Sequence, residues 1–403
     1  MFSINWRKLV PIFALVFLCS CSKTPADTPA TPIDTTGITT ATEVSLITEG
    51  TQTDPTITTE TAQDEYQITI DSMTLDEKIY ALFIVTPEQL LGSDKPINAE
   101  DYVTEQTPDF LIALDKKPVS GVVLFGGNII NPEQITALNQ AFNSRGMFVC
   151  IDEEGGDIVR ISGNPEFDVP WFLPPAECDD PYTMYMEISI YLREYGFNFD
   201  FAPVADISVD GGGVIGDRAF GSDPMTVSSK LEDCLEVFRD FGVVSCLKHF
   251  PGHGEASADS HFGAALVDKS LDDLKKYEFI PFATGIENGA PVVMVGHITV
   301  PEITGDLPST LSPEMMSILR NDMGFEGVII TDSFWMEAIT DEFGSGEAAL
   351  MALEAGADIV LMPDDLDEAY KAVKAAVESG ELSEEDIDSK LLRILKLKDE
   401  YQI

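Results

Sequence analysis

Three of the four histidines in this 403-residue chain fall inside one stretch, Lys248-His249-Phe250-Pro251-Gly252-His253-Gly254-Glu255-Ala256-Ser257-Ala258-Asp259-Ser260-His261. One histidine there would read as a loop residue satisfying backbone groups at a strand end. Three of them, with a lysine and an aspartate, read as proton transfer or polar-ligand chemistry. Asp259 and His261 are two apart, close enough for the carboxylate to orient the imidazole and raise its basicity. Asp332 stands directly after the apolar run Val328-Ile329-Ile330-Thr331. Alone it reads as the cap of a following helix; facing a histidine–aspartate pair it is a candidate nucleophile. A carboxylate that attacks and an imidazole that moves a proton suit displacement at the anomeric carbon of a sugar, through a covalent intermediate.

Two glycine-flanked segments add polar groups of the kind that bind hydroxyls. Asp152-Glu153-Glu154-Gly155-Gly156 is followed by Arg160, and Gly216-Asp217-Arg218-Ala219-Phe220-Gly221 carries a second arginine. Glu153 and Glu154 read equally well as solvated loop charges. Arginine is scarce in so acidic a chain, so Arg160, Arg218 and Lys248 read as binding groups, with a surface ion pair as the alternative for each.

The elements that must position these groups are legible as short apolar runs near residues 81–85, 121–125, 147–151, 197–201, 243–247, 292–295, 328–331 and 358–362. Between them lie helical signals: a capping box at Thr74-Leu75-Asp76-Glu77, Asn131-Pro132-Glu133-Gln134, and Ser312-Pro313-Glu314. Eight strand-like runs alternating with helical segments predict an α/β fold, a (β/α)8 TIM barrel, with an open doubly wound sheet as the alternative. The barrel is favoured because polar residues follow the runs: Asp152, Asp200 to Asp206, Lys248 and His249, His297, and Asp332. In a barrel these converge on one mouth. The stretches 365–379 and 383–401 predict two closing helices, with Arg393, Lys396 and Lys398 toward the end of the second, where the helix dipole favours cations.

The net charge of −46 excludes a nucleic-acid partner, since no basic patch survives in this composition. Arg7 and Lys8 precede an apolar run over residues 9–18, long enough for a signal-peptide core and too short to span a bilayer. The following Leu18-Cys19-Ser20-Cys21 resembles a bacterial lipobox, with Cys21 as the lipid-carrying residue; an uncleaved N-terminal anchor is the alternative. Residues 1–21 are thus expected to be a lipoprotein signal peptide, 22–63 a disordered Thr/Pro-rich tether, and 64–403 the catalytic domain. Cys150 and Cys246 sit in apolar runs as small hydrophobes, whereas Cys178 and Cys234 are able to pair in an oxidising compartment.

From about Met73 to Lys398 these motifs together resemble glycoside hydrolase family 3, in its single-barrel β-N-acetylglucosaminidase branch. The resemblance rests on Ile151-Asp152-Glu153-Glu154-Gly155-Gly156 with Arg160, Phe201-Ala202-Pro203-Val204-Ala205-Asp206, the Gly216–Gly221 segment, the Lys248–His261 stretch and Ile330-Thr331-Asp332. It implies Asp332 as nucleophile, His261 as general acid/base polarised by Asp259, and Asp152, Arg160, Arg218, Lys248 and His249 as the sugar-binding ring. It implies no metal or organic cofactor, an amino-sugar glycan substrate, and contact with a membrane only through the N-terminal lipid; the oligomeric state stays open. The expected activity is retaining exo-hydrolysis of terminal β-linked N-acetylglucosamine, outside the bacterial cell membrane. A phosphorylase of the same family, a sugar-binding lipoprotein and an inactive barrel are the rivals. The sequence departs from the family pattern at Glu255-Ala256, at Phe262-Gly263-Ala264-Ala265 and at Ser333-Phe334-Trp335-Met336, which flank the chemistry without removing a named group.

Overall fold

A computed structural model of the chain describes residues 65–93, 95–208, 213–254, 256 and 265–403. The signal segment with Cys21, the whole tether, and the pair Asp259 and His261 lie outside the described residues.

Among the described residues ten strands follow in chain order: β1 (Phe83–Val85), β2 (Gly121–Val123), β3 (Phe148–Ile151), β4 (Phe199–Asp200), β5 (Cys246–Phe250), β6 (Ala265–Leu266), β7 (Val292–Val295), β8 (Ile298–Thr299), β9 (Val328–Thr331) and β10 (Val360–Leu361). Eight of them form a closed parallel ring. β10, β1, β2, β3 and β4 pair in that order, as do β5, β7 and β9. Parallel bridges Phe199–Val244 and Ile330–Ile359 join the two groups at both seams. Closure excludes the open doubly wound sheet. The strands read as continuous apolar runs because both faces are covered, one by helices and one by the barrel interior. β6 and β8 form a separate parallel pair that the apolar runs do not announce.

The surrounding helices start where the sequence supplies a cap. Thr86, Thr107, Asn131, Asp180, Asp223 and Ser312 each accept a backbone N–H through the side chain and are each followed by proline at the first helical position. The capping box at Thr74 and Glu77 forms as expected. The two closing helices span Leu366–Ser379 and Glu384–Glu400. Arg393 does more there than complement a dipole: with Arg320 it pairs Asp358, a fully buried carboxylate at the amino end of β10, each at 2.7 Å. That end of a barrel serves stability.

Two expectations are corrected. β5 begins at Cys246 and continues through Lys248 and His249 to Phe250, so these two residues lie within the strand and not beyond it. The reason is a one-residue bulge: Leu247 pairs with Val293 but Phe250 with Val295. Successive strand residues normally face opposite sides, and the extra residue re-aims them. Cys178 and Cys234 are both buried free thiols, as are Cys150 and Cys246, so the pairing open to them is not made.

Candidate active site

The carboxyl ends of β3, β4, β5, β7 and β9 carry the polar residues. The loop after β3 is shaped by Gly155 and Gly156, whose φ values of 95° and 60° suit glycine, and a Cβ at Gly155 would strike Met184 at 2.3 Å. Glu153, for which the sequence left a solvated charge open as the alternative, is fully buried and organises that loop. Its carboxylate accepts the backbone N–H groups of Arg160 (2.6 Å), Ile161 (3.0 Å) and Ser162 (2.8 Å) and the hydroxyl of Tyr191 (3.0 Å).

Glu154 is also no solvated charge, and the cations around it are no surface pairs. It is fully buried and accepts both Nε and Nη2 of Arg218 at 2.8 Å, while Lys248 Nζ stands 2.5 Å away. Burial alone would raise its pKa, but Arg218 and Lys248 outweigh it and hold the carboxyl well below the usual range. Lys248 shows the mirror image: burial favours the neutral amine, yet Glu154 and Asp152 keep the ammonium. Asp152 bridges outward, accepting from Lys248 Nζ at 3.0 Å and from Arg160 Nη2 at 3.3 Å. Asp152, Glu154, Arg160, Arg218 and Lys248 thus form one network, with Asp152 and Arg160 partly exposed toward the mouth.

His249 is oriented by Asp206, a role that the sequence reading left unassigned. One oxygen of the buried Asp206 carboxylate lies 2.7 Å from His249 Nδ1 and accepts the His249 backbone N–H at 3.1 Å; the other accepts the His253 N–H at 2.6 Å. Burial pushes the Asp206 pKa up, and His249 with His253 brings it below its ordinary value. His297 sits after β7, its ring nitrogens 2.8 Å from Thr310 Oγ1 and 2.9 Å from the Ser333 carbonyl. Behind the network lies Asp200. Its Oδ1 accepts the Glu153 N–H at 2.9 Å and its Oδ2 is buried without a partner, and burial raises its pKa well above the carboxylate range.

Asp332 follows β9 directly and is partly exposed. Its backbone N–H donates to Val295 of β7 at 2.9 Å, continuing the barrel ladder, and its Oδ1 accepts the Ser333 N–H at 2.7 Å. The next helix starts at Glu337 with Met336 at its cap, so Asp332 is not the cap of that helix. The structure therefore gathers Asp152, Arg160, Arg218, Lys248, His249 and Asp332 at one end of the barrel. Glu154 and Asp206 were the residues missed, although both stand inside motifs that end strands.

Comparison with known proteins agrees with this geometry. Against solved structures, a family 3 β-N-acetylglucosaminidase from Paenibacillus aligns at a TM-score of 0.72 and 32% identity, over 82% of this chain and 63% of that one. Mycobacterium tuberculosis LpqI aligns at 0.70 and 29%, over 83% and 96%. In sequence, the beta-hexosaminidase LpqI of M. tuberculosis is 36% identical over 62% of this chain and 67% of its own length. A beta-hexosaminidase of Stenotrophomonas maltophilia is 33% identical over 67% and 84%. The chain spans 56% of the beta-hexosaminidase A of Pseudoalteromonas piscicida, at 31% identity. The glycosyl hydrolase family 3 N-terminal domain matches residues 74–397, and the chain belongs to that family.

Proposed function

We propose that the chain is a retaining β-N-acetylhexosaminidase that removes terminal β-linked N-acetylglucosamine from amino-sugar glycans. The observation that carries this reading is the placement of Asp332 at the end of β9, on the same rim as the carboxylate–cation network of β3 and β5. Asp152, Arg160 and Lys248 offer charged groups, and His249 an imidazole, for hydrogen bonds to the hydroxyls of one pyranose, and buried partners hold them in place before substrate arrives. The Asp332 carboxylate attacks the anomeric carbon as the glycosidic C–O bond breaks, and His261 gives its proton to the leaving oxygen. His261 then takes a proton from water as the water oxygen displaces Asp332, restoring both groups. An imidazole suits this acid/base role because, unlike a carboxylate, it adds no further negative charge beside Asp332.

The test is hydrolysis of a chromogenic β-N-acetylglucosaminide by the full chain, beside Asp332→Ala, His261→Ala and a β-glucoside control. Turnover of the amino sugar that Asp332→Ala abolishes and His261→Ala strongly slows supports the reading. Equal cleavage of the glucoside removes the amino-sugar preference, and release of sugar 1-phosphate in phosphate buffer assigns a phosphorylase instead.

The proposal extends to an extracytoplasmic, membrane-anchored form carrying lipid on Cys21. Among the described residues no helix is long and apolar enough to cross a membrane. Incorporation of labelled fatty acid, lost in Cys21→Ala, checks it.

A further inference from the structure

The chain has three tryptophans, Trp6, Trp171 and Trp335. Both that lie in the barrel domain stand on loops at the carboxyl ends of strands, Trp171 after β3 and Trp335 after β9, and neither is buried. Trp171 is 51% exposed. What distinguishes this ring is that it is held in one orientation beside a cavity, where a flat aromatic face can pack against a ligand. Its orientation is fixed, because Nε1 donates to the Gly156 carbonyl at 3.0 Å, and the Gly156 N–H in turn donates to the Phe172 carbonyl at 3.2 Å. The ring lines a shallow cavity of about 520 Å³ together with Gly126, Asp157, Arg160 and Asn164. Arg160 belongs to this cavity and to the sugar-binding network at once, through its 3.3 Å bond to Asp152.

We infer that Trp171 is the platform of a second carbohydrate subsite, which binds the hexosamine unit on the leaving-group side of the scissile bond. This rests on the exo-hexosaminidase reading, under which the only neighbour of the cleaved sugar is the leaving one. The side follows from the ring order. β3 and β9 stand four places apart among eight strands, on opposite walls. Displacement at the anomeric carbon needs nucleophile and leaving group on opposite faces, so a sugar attacked from the β9 wall expels its aglycone toward the β3 wall, where Trp171 lies. One face of a β-linked pyranose is lined with C–H bonds, whose slightly positive hydrogens pack on the negative face of an aromatic ring. Asp157, Asn164 and Arg160 surround that platform with groups able to bond the remaining hydroxyls.

The experiment compares chitotriose with an aryl β-N-acetylglucosaminide, which lacks a second sugar, in the full-length wild type, Trp171→Ala and Trp171→Phe. The expected result is that the ratio of kcat/KM for chitotriose to that for the aryl glycoside falls about tenfold in Trp171→Ala. Trp171→Phe, which keeps an aromatic face but loses the bond to Gly156, should fall less. An unchanged ratio, or an equal loss on both substrates, overturns the subsite. If the wild type cleaves neither substrate, the hexosaminidase reading falls, and intrinsic fluorescence still decides the subsite. A saturable emission change with chitotriose that is present in the wild type and absent in Trp171→Phe supports it, and no change in the wild type overturns it.

Discussion

Replacing Glu154 with glutamine removes one negative charge from a site with no solvent to compensate it. The carboxylate accepts two hydrogen bonds from Arg218 at 2.8 Å and faces Lys248 Nζ at 2.5 Å. After Glu154→Gln, Lys248 keeps Asp152 at 3.0 Å, Arg218 loses the carboxylate that it pairs with, and the new amide NH2 must point at one of the two cations. Deleting one partner of a buried ion pair costs about 3–5 kcal/mol, and the lower end applies because glutamine keeps one acceptor oxygen. For a domain of this size about 3 kcal/mol lowers Tm by roughly 5 °C, readable by calorimetry. Activity should fall even at a temperature where the variant stays folded. Loss of one aligned, charge-assisted hydrogen bond to substrate is worth roughly 1.5–3 kcal/mol, which is about 10- to 100-fold in kcat/KM. Glu154→Asp keeps the charge and should recover part of both. The pH dependence has a definite sign. Glu154 is held below its unfolded value of 4.5, so its stabilisation is complete above that pH and is lost as the pH falls beneath it. Glu154→Gln should therefore flatten the acid limb of the Tm-versus-pH curve. A variant with wild-type Tm, kcat/KM within threefold of wild type and an unchanged acid limb would refute the view that Glu154 organises the cations.

Asp206→Asn leaves a side chain of the same shape but frees the His249 imidazole from its anion, and kcat/KM should drop about tenfold while circular dichroism stays native. Asp200→Asn tests the opposite electrostatics. The native state keeps a proton on this buried acid that the unfolded chain has lost above its ordinary pKa of 3.8, so wild-type stability falls as pH rises through that window. The variant, neutral at every pH, should match the wild type near pH 4 and be more stable than it above neutrality, as urea melts at several pH values will show. Asp358→Asn strips two arginines of their shared buried partner at the far end of the barrel. It should cost roughly 3 kcal/mol in stability and leave kcat/KM near wild type at low temperature, a split that separates folding from chemistry.

Much of the frame was legible because parallel barrel strands are apolar on both faces. Runs such as Val292–Val295 and Val328–Thr331 correspond residue for residue with β7 and β9. The mouth was legible for the same reason in reverse, since an Asp332 at the end of an otherwise apolar run has nowhere to go but a rim. Boundaries suffered where a polar pair belongs inside the strand. β5 carries Lys248 and His249 through its bulge because Lys248 pairs with Val204 on one side while Phe250 meets Val295 on the other, and neither partner is visible from local composition.

Glu154 and Asp206 escaped for a different reason, and it separates two kinds of functional residue. Local sequence describes a charge as solvated unless its partners are near, and here they are not. The Arg218 that buries Glu154 is 64 positions away, and the His249 that engages Asp206 is 43 positions away. Groups that meet substrate must stand at a strand end whatever surrounds them, so position alone betrays them. Groups that hold those residues in place are defined by their partners, and only the closed barrel brings the partners together. The distinction is energetic as well. A buried carboxylate such as Glu154 is tolerable only while two cations answer it, so the loop after β3, the Arg218 segment and β5 stand or fall as one unit. Mutational effects among Asp152, Glu154, Arg218 and Lys248 should accordingly fail to add, and a double-mutant cycle on Glu154 and Arg218 should return a large coupling.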